Sequence, residues 1–271
     1  PAIRALESSL LLDHCVISDI TANGKAIGKI MMATDSDLVF ESCVFARARM
    51  GPEIAGTSLL CRDTFILDMT GPDDADGIYL HDSNGKRLML DRCVIAFGND
   101  DGVDTINSQV TLQNSIVRDF PNTNGEAKGI SVFHGKLIVR RCLVANCYVG
   151  VSAKSSGPLA GVSIEHCTID ASTAGVAAST KSNARVGNIA IHVRNSIVLA
   201  DEAIRSDFGN DKITVEYSNT SQPWAGTGNL SQPPRFIDAA GGDYRLLAES
   251  PCVNAGDPAA PPDADDSRTD I

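Results

Sequence analysis

The chain has 271 residues, a formal charge of −11 and 43% apolar residues. That charge excludes a nucleic-acid partner as a class, because phosphate binding needs basic patches, and no apolar run approaches the ~20 residues of a membrane span. An acidic polysaccharide is repelled as well, unless a local cation or basic cluster reverses the field.

Pro1 stands already inside a repeating pattern, so a mature or trimmed chain is expected. The pattern starts with "LLLDHCVIS" and returns as "LVFESCVFA", "LLCRDTFIL", "LMLDRCVIA", "VTLQNSIVR", "LIVRRCLVA", "VSIEHCTID", "IHVRNSIVL" and "ITVEYSNTS". Each copy carries one small residue at the same place: Cys15, Cys43, Thr64, Cys93, Ser115, Cys142, Cys167, Ser196 and Ser218. The spacing averages about 25 residues. A second strand recurs within the same units as "DGIYLH", "DGVDTI", "KGISVF", "VGVSAK", "AGVAAS" and "EAIRSD". Period-two alternation in short runs, separated by Asn, Asp, Gly and Ser turns, predicts strands. A period near 25 predicts an all-β solenoid with one repeat per coil. Equivalent residues then stack at about 4.8 Å. Five of the eight cysteines share the small column, which predicts an internal ladder of reduced thiols. A disulfide, chiefly Cys142 with Cys147, is the alternative.

With Gly77, Gly102, Gly129 and Gly150 as register marks, stacking turns columns into surfaces. Asp76, Asp101 and Lys128 precede the first three glycines on successive coils. If the Ile or Val after each glycine points inward, residues two and four after it point outward: Tyr79, Asp104, Ser131 and Ser152, then His81, Ile106, Phe133 and Lys154. Carboxylates as close as those in "PDDADG" and "NDDGVDT" repel one another, and either a bound cation or Lys128 must offset them. In the plain reading, the Asp-rich stretches are turns that bond local backbone, and Asp101 with Lys128 is a surface ion pair. In the functional reading, Asp76, Asp100, Asp101 and Asp104 supply oxygen ligands to Ca²⁺ from two adjacent coils. His81 and His134 read as polar surface groups, Tyr79 and Tyr148 as possible stacking platforms, and Trp224 as packing. The cysteines recur at coil period, not at zinc spacing.

The coil length, the small-residue ladder and the "LxIxxC" strands resemble the right-handed parallel β-helix proteins of the pectate-lyase-like superfamily, over residues 8–220. The resemblance implies one right-handed helix of about nine coils over 1–220, with 221–271 as an irregular C-terminal cap over the last coil. "DDGVD" with Asp76 one coil earlier is similar to the calcium pocket of family 9 pectate lyases. That similarity implies calcium-assisted β-elimination of an acidic polysaccharide. Lys128 is then the base, although the family's lysine falls at Ser131. Lys154, Ser131, Tyr79 and His81 bind substrate. A second resemblance, to the polygalacturonases of glycosidase family 28, runs through Asp76-Gly77, Asp100-Asp101, Gly129-Ile130-Ser131 and Lys154. There Lys128 replaces a histidine and Ser152 an arginine. It implies a hydrolase as the alternative; a non-catalytic carbohydrate-binding or structural module is the other. The family also implies a secreted or cell-surface monomer.

Overall fold

The computed structural model describes residues 1–21, 28–72, 74–121, 127–179, 188–207 and 212–271. Asp73 of the first acidic knot lies outside the described residues. The chain winds as a right-handed parallel β-solenoid without helices among the described residues. Each coil contributes to three parallel ladders. One runs through Ser9–Asp13, Asp37–Glu41, Ser58–Arg62 and Leu88–Asp91. The next runs through Val16–Ile20, Val44–Ala48, Phe65–Met69 and Val94–Gly98. The third runs through Lys29–Thr34, Met50–Ala55 and Ile78–His81 into the strand that begins at Val103. The winding makes about eight turns, not nine. Counting strand motifs overshoots by one, because nine stacked strands enclose eight intervals.

Alternation sets the core. Ile78, Val103, Ile130 and Val151 stack inward with no exposed surface, as do Leu80, Thr105, Val132 and Ala153 two residues on; the one polar side chain among them, Thr105, donates its hydroxyl to Ser131 O at 3.1 Å. The small column faces inward at a corner. There Thr64 Oγ1, Ser115 Oγ and Ser196 Oγ accept the backbone N–H of Cys43, Cys93 and Cys167 on the preceding coils, at 3.3, 3.0 and 3.1 Å. Small hydroxyls thus satisfy backbone donors that the bend takes out of the ladder. All eight cysteines are free thiols. The Cys142–Cys147 alternative fails because the two occupy different columns. Cys142 Sγ points to Arg140 O, and Cys147 stacks between Phe120 and Ala171. A thiol reagent should therefore titrate no more than Cys15, the one half-buried thiol, in the native protein, and all eight after unfolding. Fast native reaction of three or more would contradict the ladder.

The bends are made by residues in the left-handed region, which recur in columns from coil to coil. Asp19, Arg47, Asp68, Phe97, Asp119 and Asn146 form one such column, with φ between 51° and 63°. A non-glycine residue there costs roughly 1–2 kcal/mol. Asp and Asn tolerate it best, and neighbouring coils offset the cost laterally: Arg47 Nη2 donates to Asp19 Oδ2 at 2.7 Å, and Asn146 Nδ2 to Asp119 Oδ1 at 2.5 Å.

The large sheet ends at Asn219–Thr220, and Trp224 packs with Ile204 and Ile213 against the end of the core. The tail then folds back along the flank. It carries an antiparallel pair, Phe236–Asp238 with Asp243–Leu246. Cys252 and Ile271 pack on Ile197. Asp257 pairs with Arg194 and donates its N–H to Asn195 Oδ1 at 2.7 Å.

Candidate functional site

The site is placed by glycines packed too tightly for any side chain. A Cβ on Gly102 would lie 2.6 Å from Gly129 O and 2.7 Å from Val117 Cγ1. This contact holds successive coils in register: Gly77 N donates to Asp101 O at 2.9 Å, and Gly102 N to Lys128 O at 2.8 Å. Asp76, Asp101 and Lys128 therefore stand directly above one another.

Asp76, Asp100 and Asp101 each bring a carboxylate oxygen within 4.8 Å of the others. Asp76 is 5% exposed and Asp101 4%. Asp101 Oδ1 accepts both Lys128 N–H at 2.9 Å and Lys128 Nζ at 3.3 Å. The Asp76 carboxylate, by contrast, accepts no hydrogen bond from any described residue. Burial drives all three carboxyls up. Asp76 rises well above the carboxylate range, with the charges of Asp104, Asp101, Asp100 and Asp74 adding to it. Asp101 is pushed up to about 7 by burial, against the opposing pull of Lys128. Asp100 is raised by burial, again against Lys128.

The structure sets the other sequence-predicted residues around this group. Asp104 is outside the triplet, but its charge raises Asp76 and Asp101. It stacks between Tyr79 and Ser131, whose own neighbour is Ser152. Burial pushes the Tyr79 hydroxyl up to about 12. Its ring stacks on His81, centroids 4.5 Å apart. Ser131 is fully buried, and its Oγ has no hydrogen-bond partner. Lys154 stacks on Phe133, and no acid lies within ion-pair distance of it among the described residues. His134 binds the Ser156 N–H through Nε2 at 3.1 Å, on the corner away from the acids. Tyr148 packs on Val149, Ala174 and Ala177.

Two residues escaped the sequence reading. Glu53 stacks on Tyr79 and pairs with Lys29, and its Oε1 lies 3.7 Å from His81 Nε2. Burial lowers Lys29, while Asp74 and Asp76 oppose the shift. The signal was present: Gly51 is a register mark of the same kind, with Glu53 two residues after it. The groove thus runs along one ladder with Lys29 and Glu53 at one end, four acids in the middle, and Lys128 and Lys154 at the other.

Parallel strands wound into one solenoid, with a polar groove along a single ladder, define a right-handed parallel β-helix protein. The chain belongs to the family described as right handed beta helix region, which matches residues 2–191. Among solved structures it is similar to the crystal structure of pectate lyase Pel9A, at 11% identity and a TM-score of 0.47, over 92% of this chain and 83% of that one. No curated protein matches the chain.

Proposed function

We propose that the groove binds calcium through Asp76, Asp100 and Asp101 and cleaves a uronate-containing polysaccharide by β-elimination. The observation that carries this is Asp76: a buried carboxylate with two others within 4.8 Å and no hydrogen bond to any described residue. An uncompensated buried charge is expensive, and two further carboxylates crowding it make it more so. A hard divalent cation takes such oxygens, with water and substrate completing its shell. When bound, it would neutralise the substrate carboxylate and ease removal of the neighbouring proton.

The chain's own residues have separate tasks in this reading. Lys128, held at the edge of the acids, is the group to take the proton from the carbon beside the uronate carboxylate; it must be neutral to do so. Lys154, on the next coil, holds a substrate carboxylate. Tyr79 and His81 present a stacked ring pair along the groove. A substrate of this class carries with it a secreted or cell-surface location.

Asp101 supports a second reading. A carboxyl pushed up to about 7 can hold a proton near neutral pH and act as the general acid of a glycosidase. One assay separates the readings. With pectate or alginate, a lyase raises ultraviolet absorbance from unsaturated ends, chelator abolishes the rise, and Lys128→Ala lowers the rate at least about a hundredfold. New reducing ends without absorbance identify a hydrolase. Binding without turnover identifies a carbohydrate-binding module and ends both enzymatic readings.

A further inference from the structure

Around the corner from the acids, the folded-back tail and the coil surface enclose a cleft of about 450 Å³, within the range of small-molecule sites. Arg118, Asn146, Asp170 and Ser172 line the coil side, and the turn carrying Ala240 and Tyr244 lines the other. Asn146 lies three residues before Val149, which pairs with Lys128, so the cleft adjoins the groove.

Its polar groups are already fixed. Arg118 Nε donates to Asp119 Oδ2 at 2.6 Å, Asn146 Nδ2 to Asp119 Oδ1 at 2.5 Å, and Tyr244 OH to Asp170 Oδ2 at 2.8 Å. These bonds leave Arg118 Nη1 and Nη2, Asn146 Oδ1 and Asp170 Oδ1 with no partner among the described residues. Donors and acceptors held in place by other bonds cost little to order when a ligand arrives. Opposite them stand a tyrosine ring, braced edge-on by Phe236 at 5.1 Å, and alanine methyls.

The charge balance chooses the ligand class. Asp119 and Asp170 face a single guanidinium, so an acidic ligand adds a third negative charge. An apolar ligand strands the donors and acceptors. A neutral sugar satisfies both demands, because its hydroxyls give to the Asn146 and Asp170 oxygens and accept from Arg118, and its C–H face lies on Tyr244. We propose that this cleft is a binding site for one neutral pyranose unit, independent of calcium and of the acidic groove. It does not rest on the lyase reading.

The test is saturation-transfer NMR and calorimetry on the full chain in chelator, with D-glucose, D-galactose, D-mannose, D-xylose, L-arabinose and L-rhamnose as probes. At least one should bind saturably with a millimolar Kd, as suits a monosaccharide. Arg118→Ala should weaken it at least about tenfold. Ala240→Trp, at an exposed turn position that spares the fold, should abolish it. Asp100→Asn should leave it unchanged. No saturable binding by any of the six overturns the proposal. So does unchanged binding by a folded Ala240→Trp, or tighter binding of D-galacturonate than of every neutral sugar. Sugar binding that persists in a chain showing no calcium response removes the metal reading alone.

Discussion

Calcium at a hundred times its Kd and pH 8 raises the melting temperature by about 5 °C, and Asp76→Asn removes that response while itself raising the melting temperature in chelator. The first figure follows from mass action. A ligand at that excess adds about 2.7 kcal/mol to the native state, and a chain of 271 residues converts this to about 5 °C. The second follows from repulsion. Asp76→Asn takes a buried carboxylate away from two crowding neighbours, so the metal-free protein gains about 1 kcal/mol or more as it loses a ligand. A mutation that stabilises the empty protein and abolishes its stabilisation by calcium is hard to explain other than by a cation site.

The pH dependence has a definite sign. The Asp101 carboxyl is at about 7 in the folded chain against 3.8 in its ordinary state. The folded state therefore holds the proton more tightly than the unfolded state. Its contribution to stability is complete below pH 4 and is lost as pH rises toward 7. The full loss is on the order of 4 kcal/mol for that shift. Carboxyls with lowered values, such as Asp19 and Asp243 beside their arginines, act in the opposite sense. The informative quantity is therefore the difference between wild type and Asp101→Asn, whose amide oxygen still accepts the Lys128 N–H. Melting curves at pH 4, 6 and 8 in chelator should show the variant gaining on wild type as pH rises, and calcium closing the gap at pH 8. A flat difference with no calcium response would remove the cation reading.

The fold was legible because winding makes it periodic. A column of Cys, Ser and Thr at one spacing and a glycine ahead of each outward strand are enough to align coils, and Asp76, Asp101 and Lys128 then follow from counting. What counting could not give was depth. Tyr79, Asp104, Ser131 and Ser152 share one outward column, yet the first two are half-buried and the serines fully so. Nor could it show that the expected Lys128–Asp101 ion pair is buried and not at the surface, since depth at a column edge depends on packing from the next coil. Glu53 and Lys29 were missed for a simpler reason. The acidic run drew the register marks to Gly77 and beyond, although Gly51 continues them. The Arg118 cleft depends on the path of a non-repeating tail, and no periodicity reports that.

The whole site rests on the glycine column, which makes Gly150→Ala the sharper test of the architecture. A Cβ there would lie 2.4 Å from Ile169 Cγ2 and 2.5 Å from Gly175 O. The isoleucine can rotate only into a filled core. The carbonyl belongs to the backbone of the next coil, which cannot withdraw without stretching ladder bonds on both sides. A cost of about 3 kcal/mol, near 5 °C in melting temperature, is expected. Gly161→Ala is the matched control. It lies on a strand of the same solenoid, outside the column, and its nearest heavy atom would be Lys136 Cγ at 3.8 Å; the change should stay within about 0.5 kcal/mol. If both glycines tolerate alanine equally, the coils are not held in register by this contact, and the stacking of Asp76, Asp101 and Lys128 loses its cause. If only Gly150 resists, the residue before each glycine is fixed in the column by the coil above it, and the crowding of acids at Asp76 and Asp101 is imposed by the architecture.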